Sequence, residues 1–147
     1  MSDSNQIAVI GGGAAGFFTA INIKEINPSL KVVIYEKTNQ VLTKVKVSGG
    51  GRCNVTHACF DPTELINYYP RGKKELRGPF HQFMTFDTIE WFANHGIELK
   101  TEDDGRMFPV SNESQEVIDC FLSLCNKYGI QIALKKEVVA GSKSADQ

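Results

Sequence analysis

Apolar residues fall in short continuous runs, separated by glycine-rich or polar stretches. Ile7-Ala8-Val9-Ile10 is the first run, and its length and lack of alternation fit a buried parallel strand. It leads straight into Gly11-Gly12-Gly13-Ala14-Ala15-Gly16, after which Phe17, Phe18, Ala20, Ile21, Ile23 and Ile26 follow with mixed helical spacing. Asn27-Pro28-Ser29 ends that helix, because proline lacks the amide the next turn needs. Lys31-Val32-Val33-Ile34-Tyr35-Glu36 is a second strand. Strand, glycine turn, helix and strand make a βαβ unit, with a parallel sheet and a right-handed crossover.

After Glu36 the chain is polar as far as Val47 and then enters Ser48-Gly49-Gly50-Gly51-Arg52-Cys53-Asn54. Residues 56–79, broken by Pro62, Pro70, Gly72, Gly78 and Pro79, read as an irregular excursion with short helices. Asp87-Thr88-Ile89-Glu90 has the spacing of a capping box, with Asp87 as the cap and Glu90 bonding back, opening a helix that ends at Gly96. Residues 97–101 and 107–110 flank the turn Asp103-Asp104-Gly105 and predict a hairpin. Val117, Ile118, Phe121, Leu122, Cys125 and Tyr128 line one helical face, closed by Gly129. A last strand is predicted over residues 130–139, and residues 141–147 as a disordered tail.

Of the 147 residues, 41% are hydrophobic and 22% charged, which excludes collagen, coiled coil and a fully disordered chain. The formal charge of −1 argues against a nucleic-acid partner held through its phosphates. The basic run Arg71-Gly72-Lys73-Lys74 is accordingly read as a solvated loop. No apolar run reaches membrane-spanning length, and the polar N-terminus does not resemble a signal peptide, so the expected location is cytoplasmic. Cys53, Cys59, Cys120 and Cys125 are then free thiols; neither close pair has CxxC spacing, and no metal site is expected. Phe80, Phe83, Phe86, Trp91 and Phe92 read as core packing, and His81 and His95 as surface or satisfied histidines.

The candidate chemistry lies in the first glycine turn. Gly11-x-Gly13-x-x-Gly16 follows a strand and opens a helix, the setting the dinucleotide fingerprint requires. Gly11 permits the tight turn, Gly13 lets a pyrophosphate approach the backbone, and Gly16 lets helix and strand meet closely. Amides at the helix start, around Ala14 and Ala15, carry about half a positive charge toward the phosphates. Glu36, 20 residues beyond Gly16, is placed to accept from a ribose 2′-hydroxyl and to repel a 2′-phosphate. The implied ligand is FAD or NAD rather than NADP. The second motif, Ser48–Gly49-Gly50-Gly51-Arg52-Cys53-Asn54, combines exposed amides with a fixed cation and suits an anion or the edge of a flavin ring.

Together, residues 7–16, Glu36-Lys37, the Ser-Gly-Gly-Gly-Arg-Cys-Asn-x-Thr string ending at Thr56 and Gly105-Arg106-Met107-Phe108-Pro109 resemble a bacterial family of two-domain NAD(P)/FAD-dependent oxidoreductases. That family includes aminoacetone oxidases and BaiN-like flavoproteins linked to bile-acid intermediates, and is similar to the glutathione-reductase-like flavoproteins. The resemblance implies a Rossmann-like α/β FAD-binding domain, with residues 1–140 as its N-terminal part and with the substrate domain and C-terminal FAD segment absent. It implies FAD as cofactor, with Gly11, Gly13 and Gly16 at the pyrophosphate and Glu36 at the adenosine ribose. Lys37 flanks that carboxylate, and Lys44, Ser48, Gly50 and Asn54 line the cofactor farther along. Gly49, Gly51 and Arg52 belong to the same loop, and Val138, on the last strand, meets the adenine through its backbone.

Two departures bear on these expectations. Many family members carry Gly-Arg-Lys before the serine where this chain has Leu42-Thr43-Lys44, which keeps only the lysine. Family members are also much longer, so the chain by itself is expected to retain flavin weakly or not at all. The implied reaction is hydride transfer between flavin and a small-molecule substrate or NAD(P)H, with no catalytic acid or base identifiable in these residues. An NAD-binding Rossmann protein and a truncated, non-catalytic nucleotide-binding fragment are the competing readings.

Overall fold

A computed structural model describes residues 6–142. In chain order the elements are β1 (Gln6–Ile10), α1 (Ala14–Ile26), β2 (Lys31–Tyr35), α2 (Thr43–Val47), β3 (Thr56–His57), α3 (Pro62–Leu65), α4 (Lys73–Phe80), α5 (Thr85–Asn94), β4 (Leu99–Thr101), β5 (Arg106–Pro109), α6 (Ser114–Tyr128) and β6 (Gln131–Ala133). They form two compact units, the first made of the chain up to Val45 and again from Phe121, the second of Lys46–Cys120.

The first unit is the predicted βαβ and one strand more. β1 pairs parallel with β2, Ile7 beside Val32 and Val9 beside Ile34, and β2 pairs parallel with β6, giving the order β1-β2-β6. The central strand is buried at Val32, Val33 and Ile34, which is why it is apolar without alternation. α1 covers the sheet with Phe17, Ala20 and Ile21, all fully buried, and Phe17 meets Phe121 with ring centroids 6.0 Å apart. β1 is an outer strand, and Ile10 at its end is 59% exposed.

β6 stops at Ala133, six residues short of the predicted strand end. Lys135 takes a left-handed φ of 55°, which a strand cannot accommodate, and the chain turns back. The Lys135 amide then donates to Thr38 O and the Lys136 amide to Glu36 O, at 2.8 and 2.9 Å. Val138 therefore lies beyond the strand, in irregular and exposed backbone, rather than on it. Of the predicted tail, residues 143–147 lie outside the described residues.

The second unit holds an antiparallel sheet in the order β3-β5-β4, with the expected hairpin between β4 and β5. Its core includes Leu65, Ile66, Trp91, Phe92, Met107 and Phe108. α5 begins one turn earlier than its motif suggests. Thr85 is fully buried and donates its hydroxyl to His57 O at 2.9 Å, so the helix starts there. Asp87 consequently sits at the third helical position and its carboxylate accepts from the Met84 amide at 2.8 Å, the reaching-back role assigned above to Glu90. Of the five aromatics expected in the core, Trp91 and Phe92 are buried edge to face, whereas Phe83 and Phe86 are 40% and 61% exposed.

The apolar face of α6 is also shifted from the predicted one. Val117, Ile118, Phe121, Leu124 and Cys125 are buried, and Leu122 is exposed. Positions i, i+4 and i+7 from Val117 define the stripe, which takes Leu124 and leaves Leu122 on its flank. Leu124→Ala is expected to cost about 2–5 kcal/mol, and Leu122→Ala within about 1 kcal/mol. Urea midpoints of the two variants measure the difference, and equal midpoints would contradict the observed face.

Candidate functional site

The first unit brings the glycine turn at residues 11–16 and Glu36 together at one end of its sheet. Gly11 leaves β1 at φ 103°, a value open in practice to glycine, and its amide donates to Tyr35 O at 2.8 Å. A β-carbon on Gly16 would stand 2.0 Å from Gly11 O, so the first turn of α1 reaches β1 only because residue 16 has no side chain. Gly13 is the residue before α1 and makes no side-chain cap, the first turn holds no acidic residue, and Gly13, Ala14 and Ala15 are exposed. Nothing lies within 4 Å of a β-carbon built on Gly13. The helix start is thus open and positively polarised, with free amides of the kind that can receive an anion.

Glu36 stands beside it, just past β2. One carboxylate oxygen accepts from the Gly12 amide at 2.7 Å and the other from the Thr38 amide at 2.8 Å. Each oxygen keeps a further lone pair, the acceptors a ribose diol needs. The amides of Thr38 and Gly12 hold its pKa below the ordinary 4.5, with a smaller contribution from Lys37. Gly12 is the functional position the sequence reading passes over, since the fingerprint treats it as variable; its amide orients the carboxylate. The exposed side chains of Lys37 and Lys44 lie in this unit as well.

The second motif folds as a 3-10 turn over Ser48–Gly51. Gly49, Gly50 and Gly51 all have left-handed φ, at 57°, 69° and 89°, followed by Cys53 at 61°. Ser48 O accepts from the Cys53 amide at 3.0 Å. Arg52 is turned onto its own unit: its guanidinium lies 4.0 Å from the centre of the Phe108 ring, its Nε donates to Gly49 O at 3.3 Å, and it pairs with Glu102. Its charge is matched within the unit, and its contacts hold the glycine turn. Asn54 is also turned onto its own unit, its side-chain amide group facing the carbonyls of Thr56 and Met107. Gly50 remains open, with no atom within 4 Å of a β-carbon placed there.

Burial raises the pKa of Cys53 and pushes Cys120 up to about 11 and Cys125 up to about 12, so these three stay protonated at neutral pH. Among the described residues no three His, Cys, Asp or Glu side chains converge as a metal site, and no helix is long and apolar enough to cross a membrane.

Comparisons with known proteins give the same fold. A family profile described as "HI0933-like protein Rossmann domain" matches residues 5–147. The chain is 28% identical over 138 residues to a "Ribosomal RNA dihydrouridine synthase" of Haemophilus influenzae, covering 94% of this chain and 33% of that protein. It is 30% identical over 115 residues to a "3-dehydro-bile acid delta(4,6)-reductase" of Clostridium scindens, covering 78% of this chain and 27% of that protein. It thus spans about a third of the length of these relatives. Among solved structures, an open conformation of a flavocytochrome c3 fumarate reductase superimposes with a TM-score of 0.68 at 19% identity, over 97% of this chain and 28% of that one.

The hydrogen-bonded Glu36 carboxylate sets a pH dependence. The folded state favours its ionised form, so its contribution to stability is complete above the ordinary value of 4.5 and fades as pH falls through the lowered folded value. The gap in urea midpoint between the parent chain and Glu36→Gln should be constant from pH 7 to 5 and close under more acid conditions. A gap that widens on acidification would contradict the arrangement.

Proposed function

We propose that this chain, which belongs to the HI0933-like Rossmann domain family, is the adenosine-dinucleotide-binding part of an FAD-dependent oxidoreductase. The observation that supports this best is the pairing of an uncapped, open helix start at Gly13 with a carboxylate fixed by the Gly12 and Thr38 amides. These groups fit the adenosine diphosphate portion of FAD. Amides around Gly13, Ala14 and Ala15 would take the pyrophosphate, and Glu36 the adenosine ribose. Lys37, Lys44, Ser48, Gly49, Gly50, Gly51, Arg52, Asn54 and Val138 are assigned to the cofactor by resemblance. Arg52 and Asn54 would then act through the turn they hold, and Gly50 through its open backbone.

When bound, a flavin supplies hydride transfer to or from a substrate or NAD(P)H. The residues of this chain bind and orient the nucleotide end. Both relatives' names describe saturation of a ring double bond conjugated with a carbonyl, in a uracil base or in a 3-keto steroid. An electron-poor ring alkene is the substrate class this suggests for the longer protein. The Glu36 carboxylate favours an unphosphorylated adenosine ribose, so NADPH is disfavoured at this position.

Equilibrium calorimetry with the 147-residue chain tests the reading. FAD and ADP are expected to bind weakly, in keeping with the missing remainder of the cofactor site, FMN and 2′-phosphorylated ADP to bind at least tenfold more weakly still, and Glu36→Ala to weaken FAD by about tenfold or more. A stronger response to NAD than to FAD would favour an NAD domain. The absence of any response to adenine nucleotides would overturn the proposal.

A further inference from the structure

The loop over residues 36–42 is pinned to Gly12 at both of its ends. At one end the Gly12 amide donates to the Glu36 carboxylate at 2.7 Å, and at the other the Leu42 amide donates to Gly12 O at 2.8 Å. A single residue of the glycine turn therefore holds the whole loop that follows β2. Leu42 is 1% exposed and has a left-handed φ of 55°, a conformation leucine keeps only where its surroundings impose it. Its buried side chain anchors this end of the loop.

Within the loop the bonds leave little slack. The Thr38 amide reaches the second Glu36 carboxylate oxygen at 2.8 Å, and Thr38 Oγ1 donates to Gln40 O at 2.8 Å. From outside, the Lys135 amide donates to Thr38 O. Val41, half-buried, packs against the glycine turn itself. A β-carbon on residue 12 would stand 2.7 Å from Val41 Cγ1 and 3.1 Å from both Cβ and Oε2 of Glu36. Gly12 thus lies between the valine and the carboxylate with no room for even a methyl group.

We propose that Val41 and Gly12 are positioning residues that set the ribose selectivity of the site, by holding the Glu36 carboxylate so that it cannot turn away from a 2′-phosphate. A carboxylate free to rotate about its side-chain bonds would relieve like-charge repulsion by swinging into solvent. One with both oxygens bonded to backbone amides keeps its charge at the ribose, so a phosphorylated ribose meets the full repulsion. Preference for an unphosphorylated adenosine is then a property of the closed loop and not of the acid alone. This inference rests on the adenosine-dinucleotide reading and deepens it, since it names residues that make no ligand contact and still decide which ligand is accepted.

The measurement is the ratio of affinities for ADP and 2′-phosphorylated ADP, each titrated into the full 147-residue chain. The parent chain is expected to favour ADP by about tenfold or more, Gly12→Ala by less than about threefold, and Val41→Ala by an intermediate factor. Gly12→Ala combined with Val41→Ala, where the vacated space receives the new methyl group, should recover most of the parent ratio. Residues that served only the stability of the fold would weaken both nucleotides alike and leave the ratio unchanged. Carbon-13 NMR titration of the Glu36 carboxyl group, without nucleotide, gives a second readout. It should titrate below 4.5 in the parent and move up toward that value in Gly12→Ala, where the amide bond is disturbed. Circular dichroism confirms folding, and Val41→Ala decides the matter where Gly12→Ala does not fold. An unchanged ratio in Val41→Ala or in folded Gly12→Ala, an unmoved carboxyl titration, or a double variant no better than Gly12→Ala would each overturn the proposal and leave the dinucleotide reading standing. A parent chain that binds neither nucleotide overturns that reading and this inference with it.

Discussion

The carbonyl oxygen of Gly11 occupies the space that a side chain on residue 16 would need, at 2.0 Å from the ideal β-carbon. Because residue 16 is glycine, the first turn of α1 settles directly onto the end of β1. Much of the first unit follows from that approach. It brings the uncapped amides beside the ends of β1 and β2, where Glu36 emerges, and sets the Gly12 amide within 2.7 Å of the carboxylate. Phe17, one residue later, is directed into the core to meet Phe121. A polar feature and an apolar one thus share a single steric origin, and loosening that contact would disturb nucleotide geometry and packing together.

The second unit is organised around Phe108, which is fully buried and carries Arg52 over its ring. Glu102 sits between Arg52 and Arg106, and Asp104 also pairs with Arg106, so charge in this corner is spent internally. These partly exposed pairs are worth little as stability, in keeping with solvent-screened ion pairs. Their use is geometric, holding the glycine turn at 48–51 in place through Gly49 O. In residues 67–83 the cations Arg71, Lys73, Lys74 and Arg77 are exposed. A net charge of −1 averages these two arrangements and describes neither.

Much of the first unit was legible in the sequence because each of its signals has one physical cause. Gly11 needs its positive φ, Gly16 needs its missing side chain, and β2 is apolar from Val32 to Ile34 because both of its faces are covered there. The role of Gly12 was hidden, since it depends on where a side chain 24 positions away turns back. Strand β6 was overextended because Leu134, Val138 and Val139 look like strand residues; the left-handed turn at Lys135, which no side-chain preference announces, ends the ladder. The start of α5 was misplaced by one turn, because a buried threonine bonded to His57 O outweighs a good local capping pattern. In the aromatic segment, composition alone could not separate Trp91 and Phe92, which fill the core, from Phe83 and Phe86, which do not. Arg52 presented itself as a ligand cation, and only the neighbouring strands reveal the carboxylate and ring that engage it.

The glycine turn at 49–51 has a bearing on chirality. Three consecutive residues occupy the half of conformational space that L-amino acids avoid and their mirror images prefer. Position 50 has open space around it as well as the right backbone angle. A chain assembled by chemical ligation with D-alanine at that position would meet backbone angles suited to its hand. It would also lose unfolded-state freedom, whereas L-alanine there would oppose the turn. The ribosome cannot exploit this preference, and glycine is the only genetically encoded residue that serves both hands.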